Sequence, residues 1–155
     1  VKIYYKRLKD VDPPVILEQG DWIDLSIPAE DDIEIPSGCV IKVPLGIAMK
    51  LPPGMEAILA FRSSTSFKYP IAPANGFGVI DQTFCGNNNE WKMPVRAFSD
   101  TVLPIKARLF QFRIQPSQKA TIFQKIRWLL SPTVKLIEVT NLSNKDRGEF
   151  GSTGQ

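Results

Sequence analysis

The sequence predicts an all-β fold, a distorted jelly-roll sandwich or barrel with one short helix inserted near 118–130. Thirteen prolines spread along 155 residues cut the chain into short segments and argue against long helices. Many of those segments are rich in Val, Ile and aromatic residues and are bounded by Pro, Gly, Asn or Ser-Asp turns. Short strands at regular spacing belong to sandwiches and barrels.

In chain order the expected strands are Lys2–Leu8, Trp22–Ile27, Cys39–Val43, Ile47–Leu51 and Met55–Phe61. Pro52-Pro53-Gly54 is the turn between the last two. Asn75–Gly86, read N-G-F-G-V-I-D-Q-T-F-C-G, predicts a tight β-hairpin approached closely by another group. Trp91–Phe98, Arg108–Ile114 and Val134–Thr140 complete the strands. Between Pro116 and Pro132, residues Gln118–Leu130 carry helical periodicity. Ile122, Phe123, Ile126, Leu129 and Leu130 share one face, Lys125 and Arg127 lie off it, and Trp128 falls opposite. Such a helix either covers core with that stripe or presents a face to a partner or a membrane surface.

Composition narrows the function. Apolar residues make up 43% and charged residues 23%, ordinary values for one globular domain. A net charge of +3 suits an anionic small molecule and does not describe a surface that coats DNA. The absence of histidine removes Ser-His-Asp and Cys-His nucleophiles and every His-containing zinc site. Cys39 and Cys85, far apart and without a C-x-x-C neighbour, are expected as buried reduced thiols. No stretch is long enough to span a membrane and no charged-then-apolar leader opens the chain, so a cytoplasmic protein is expected.

Several polar residues stand in apolar surroundings. Asp81, among Val79, Ile80 and Phe84, is either a general base or an aspartate capping its own turn. Arg62-Ser63-Ser64-Thr65 closes a strand and offers either an anion-binding helical turn or a plain serine N-cap. Asp24 inside Trp22-Ile23-Asp24-Leu25 needs a partner, whether a cation, a metal-bound water or an arginine, or else solvent. Gln111, between Phe110 and Phe112, can both donate and accept. The end of the chain, D-R-G-E-F-G-S-T-G-Q, lacks apolar periodicity. It reads as a flexible arm over 145–155 beside a single domain over 1–144. Its glycines, hydroxyls and Arg147 suit phosphate oxygens.

Five pieces then stand in order: G-D-W-I-D-L, R-S-S-T, N-G-F-G-V-I-D-Q-T-F-C-G, R-L-F-Q and R-G-E-F-G-S-T-G. In this order the chain resembles the homotrimeric dUTPases, deoxyuridine triphosphate pyrophosphatases. The G-D-W-I-D-L opening and Trp91 are most similar to a branch from Gram-positive bacteria and their phages. The resemblance implies a trimer whose active sites are each built from three chains, and hydrolysis of dUTP with Mg²⁺. By the same resemblance, Asp81 activates water, and Asn75 with the backbone of Gly78, Val79 and Ile80 reads uracil. Phe84 packs on the deoxyribose, while Arg62, Ser63, Ser64 and Gln111 contact the phosphates. Asp24 positions magnesium through its waters, Arg147, Ser152 and Thr153 close over the terminal phosphates, and Phe150 stacks on the base.

The chain departs from the family pattern in four places. Phe84 replaces the usual tyrosine, and Lys106-Ala107 replaces a glycine-plus-acid turn. The spacing from Arg147 to Phe150 is short, which leaves Trp91 as an alternative base-stacking ring. The 118–130 segment lies outside the five motifs, and a regulatory protein partner there is one expectation. Two other readings stay open: a dCTP deaminase of the same fold, and a binding module with catalysis secondary.

Overall fold

The computed structural model describes residues 1–143 and Gly148. The elements in chain order begin with β1 (Lys2–Arg7), β2 (Val15–Ile16), β3 (Ile23–Ser26), β4 (Ile33–Ile35), β5 (Val40–Pro44) and β6 (Ile47–Lys50). There follow β7 (Met55–Phe61), α1 (Thr65–Lys68), β8 (Ile71–Pro73), β9 (Gly78–Asp81) and β10 (Lys92–Ala97). The chain continues through β11 (Thr101–Leu103), β12 (Arg108–Pro116), α2 (Ile122–Leu130) and β13 (Lys135–Glu138).

The strands form a five-stranded sheet ordered β2-β3-β12-β7-β9, two three-stranded sheets ordered β13-β1-β6 and β5-β10-β8, and the pair β11-β4. This is the expected all-β architecture. Pairing is antiparallel except for β1 with β13. The strands expected at Met55–Phe61 and near Arg108–Ile114 form the centre of the large sheet. In β12, alternation turns Phe110, Phe112 and Ile114 inward and leaves Gln111, Arg113 and Gln115 on the other face. In β7, Met55, Ala57 and Leu59 point inward in the same way. The register sets Gln111 against Ala60, Arg113 against Ile58 and Gln115 against Glu56. The polar members of both strands therefore share the outer face.

Three sequence expectations change. The first concerns Trp91, which is fully buried and meets Phe112 edge to face at 5.1 Å between centroids. A ring so placed belongs to the core and is not available to stack on a base. Trp91→Ala is expected to cost about 3–5 kcal/mol in urea unfolding, because it removes a large buried side chain and leaves a cavity. A loss below about 1 kcal/mol would place the ring outside the core.

The second change is in α2. A capping box starts the helix at Thr121, whose side chain accepts from the Gln124 N–H while the Gln124 side chain accepts from the Thr121 N–H. Its apolar stripe points away from the protein, with Phe123 78% and Leu130 80% exposed, and no residue of the helix is fully buried. Trp128 instead packs against the core. Gln124 and Trp128, four residues apart, share the inward face with Arg127, above Pro52, Pro53 and Met55. The stripe does not cover core.

The third change is in Asn75–Gly86, expected as a tight hairpin. Its one strand, β9, pairs with β7, and β8 just before it pairs with β10, so the stretch is not a hairpin. Cys39 and Cys85 are free thiols as expected, but Cys39 is exposed and Cys85 half-buried. Among the described residues no helix is long and apolar enough to cross a membrane.

Candidate active site

The outer face of the five-stranded sheet carries two polar centres. The first is built where β3, β12 and the end of β7 meet. Asp24 is only 3% exposed and lies opposite Gln111 in the β3–β12 register. Its Oδ2 is 3.0 Å from Arg62 Nε and 3.5 Å from Arg108 Nε. These contacts are ionic, since Oδ2 has no aligned hydrogen-bond donor among the described residues. A buried carboxylate requires such charge compensation. Arg62 Nη1 also donates to the Arg108 carbonyl at 3.1 Å, and Gln111 Nε2 donates to the Phe61 carbonyl at 2.9 Å. Beyond β7, Ser63 is exposed and Ser64 occupies the N-cap of α1 without making a side-chain cap bond. Thr65 anchors this turn, donating from Oγ1 to the Leu109 carbonyl at 2.6 Å. Two guanidiniums balanced by one carboxylate, with adjacent hydroxyls and an amide, make a corner suited to phosphate oxygens.

Arg108 is the residue that sequence reasoning passed over. It opens R-L-F-Q, and its charge at a strand start, three residues before the Gln111 amide, was the available signal. Only pairing with β3 brings it to Asp24.

The second centre lies at the far end of β9. Asp81 is the last residue of that edge strand and is directly opposite Glu56 on β7. Its Oδ1 accepts from the Thr83 N–H at 2.8 Å and from the Thr83 hydroxyl. Asp81 thus does cap its own turn, and the cap fixes the orientation of its carboxylate. With Glu56, Gln82, Thr83, Ser117, Gln118 and Lys119 it lines an open recess of about 750 Å³. Glu56 Oε1 accepts from Gln115 Nε2 at 2.8 Å.

Leading into this strand, Asn75 and Gly76 are exposed, and Gly76 adopts φ +77° in the turn before β9. Gly78 lies against Leu59, where a Cβ would come within 3.3 Å of the leucine side chain. Val79 is exposed, whereas Ile80 and Phe84 pack against the core. Phe77, 54% exposed in the turn, is a ring that sequence reasoning did not single out. Arg147, Phe150, Ser152, Thr153 and the rest of the expected arm except Gly148 lie outside the described residues.

The two centres do not meet within one chain. Asp24 is level with Ala60 on β7 through Gln111, and Asp81 is level with Glu56. Four residues along the strands and three strand spacings across give roughly 13 Å and 14 Å, hence about 20 Å between them.

Among the described residues no group of three Asp, Glu, Cys or His side chains could hold a metal ion. Asp24, expected to position magnesium through its waters, is nearly enclosed, and the charges beside it are those of Arg62 and Arg108.

No protein-family model matches the chain. A curated relative, the SPbeta prophage-derived deoxyuridine 5'-triphosphate nucleotidohydrolase YosS of Bacillus subtilis, is 42% identical over 138 residues, spanning 89% of this chain and 87% of the relative. The chain belongs to the dUTPase family. The dUTPase of Streptococcus mutans superposes with a TM-score of 0.66 at 22% identity, over 76% of this chain and 98% of its own. A dUTPase from phage phi11 of S. aureus, described with a species-specific insert, gives 0.64 at 13%, over 77% and 93%. At these identities the likeness shows the dUTPase fold, in agreement with the all-β architecture above.

Proposed function

We propose that this dUTPase-family chain hydrolyses dUTP to dUMP and pyrophosphate, and that each working site combines centres from different copies of a homotrimer. The observation that carries this reading is the separation of about 20 Å between the phosphate corner and Asp81 on one chain. A base and the donors holding the attacked phosphate must stand around one phosphorus, with the nucleophile about 3–3.5 Å from it. A second copy that brings its Asp81 to this chain's corner satisfies that requirement.

In the proposed reaction Asp81 takes a proton from water as the water oxygen bonds to the α-phosphorus. The bond to the α–β bridging oxygen breaks and pyrophosphate leaves. Arg62, Ser63, Ser64 and Gln111 neutralise and orient the phosphate chain, and Asp24 holds Arg62 in place. Asn75 and the backbone of Gly78, Val79 and Ile80 read uracil, and Phe84 packs under the deoxyribose. Arg147, Ser152 and Thr153 close over the phosphates and Phe150 covers the base. Any magnesium arrives on the triphosphate as part of the substrate. The cellular consequence of this reaction is to keep uracil out of DNA and to supply dUMP for dTMP synthesis in the cytoplasm.

The test is pyrophosphate release from dUTP beside dCTP, dTTP and UTP, with ammonia measured for dCTP. Release from dUTP alone supports the reading. Equal release from all four rejects the uracil pocket, and ammonia from dCTP turns the assignment to a deaminase.

A second role is favoured by α2, whose outward stripe of Ile122, Phe123, Ile126, Leu129 and Leu130 is exposed. We propose this face as the contact for a regulatory protein. Ile122→Ser with Leu129→Ser is then expected to leave kcat for dUTP and the trimer mass unchanged. Loss of either in size-exclusion or rate measurements would assign the stripe to the trimer itself.

A further inference from the structure

We infer that Gln82 is a positioning residue for the Asp81 carboxylate, and that helix α2 acts on the catalytic turn through it. The inference rests on the reading of Asp81 as general base. Asp81 ends β9, and its pair with Glu56 is the last of the β7–β9 register. An aspartate at the end of an edge strand has ladder support on one side only, a place where strands fray. The turn residues after Asp81 must therefore hold it in place.

Two contacts do so. Thr83 fixes the rotation of the carboxylate within its own turn through the bonds to Oδ1. Gln82 fixes the turn relative to the rest of the protein, because its Oε1 accepts from the Gly54 N–H at 2.7 Å. Gly54 is itself held on two further sides. Its carbonyl accepts from the Ser117 N–H at 2.8 Å, just after β12. Its α-carbon, at φ +77°, lies so close to Gln124 that a side chain there would overlap the carboxamide. Gln124 cannot easily withdraw, since its Oε1 accepts from the Thr121 N–H at 2.8 Å in the helix cap. A continuous series of contacts thus runs from the cap of α2 through Gln124, Gly54 and Gln82 to the catalytic turn.

This gives the helix a task inside the protein. Its inward face braces the turn that carries the base, whatever its outward stripe meets. Because near-attack geometry is lost with displacements of about 1 Å, loosening the brace lowers kcat more than substrate affinity.

The test compares Gln82→Met, which keeps length and loses the acceptor, with Gln82→Glu, which keeps an acceptor oxygen. Initial rates on dUTP and thermal melts are measured for both. Gln82→Met is expected to lower kcat about tenfold with KM within about twofold. Gln82→Glu is expected to recover kcat to within about threefold of the parent at a similar melting temperature. Gln124→Ala, farther along the same series, should show the same split to a smaller extent. A parent-like kcat in Gln82→Met overturns the inference. So does an equal loss in both Gln82 variants that tracks their melting temperatures, since that marks a structural role only. A parent protein inert toward dUTP would instead remove the hydrolase reading, and this inference with it.

Discussion

Asp81→Asn is expected to lower kcat for dUTP by at least about 100-fold and to leave KM within about threefold, as for loss of a general base. Asparagine preserves the shape of the side chain, and its amide oxygen can still accept from the Thr83 N–H and hydroxyl that now meet Oδ1. The turn should therefore stay folded, and the melting temperature should move little. What disappears is the capacity to take a proton from water while the α-phosphorus is attacked. In the proposed site, substrate affinity rests on the backbone of β9 and on the phosphate corner of a neighbouring copy, neither of which the substitution alters, so it should be spared. Steady-state kinetics with a pyrophosphate readout decides the matter. A variant that turns over at the parent rate would show that the proton goes elsewhere, with Glu56 across the β7–β9 pair as the next carboxylate to replace.

Two inactive chains are expected to restore activity when mixed. Asp81→Asn removes the proposed base and Arg62→Gln a proposed phosphate-binding charge, while glutamine keeps a polar group beside Asp24. If each site takes its base from one copy and its arginine from another, random reassembly at equal amounts yields about one competent site in four. The mixture should then reach about a quarter of the parent rate after unfolding and refolding together, while each variant alone stays near background. If base and arginine came from the same chain, every site would carry one defect and mixing would restore nothing. Absence of recovery in a mixture that refolds to the parent mass would therefore reject the shared site.

The strands legible in the sequence were those with clear alternation. Met55–Phe61 folds over the expected residues, and β12 runs two residues past its expected end at Ile114. Strands such as Val15–Ile16, Ile33–Ile35 and Thr101–Leu103 are two or three residues long, too short for a period to register. Pattern alone left open which face of the helix meets the protein. Apolar periodicity reports that a helix has two faces, and whether the apolar one finds a partner depends on what lies beneath. Here Trp128 and Gln124 fit against Pro52, Pro53 and Met55, and the larger stripe is left outside. Trp91 misled for a related reason, because an aromatic next to a polar loop looks available until the sheet closes over it.

Short-range chemistry by itself determined the alternating central strands, the acid at the end of G-V-I-D and the Arg-Ser-Ser turn. Each depends on residues adjacent in the chain, where spacing fixes which side chains share a face. Tertiary structure alone decided what these residues meet. Pairing of β3 with β12 sets Asp24 beside Gln111 and Arg108, and the order of the sheet holds that corner about 20 Å from Asp81. The contact from Gly54 to Gln82, in the turn after Asp81, likewise joins residues 28 positions apart. Such distances are set by strand order and by which loops close on one another, and neither is written in any local run of residues.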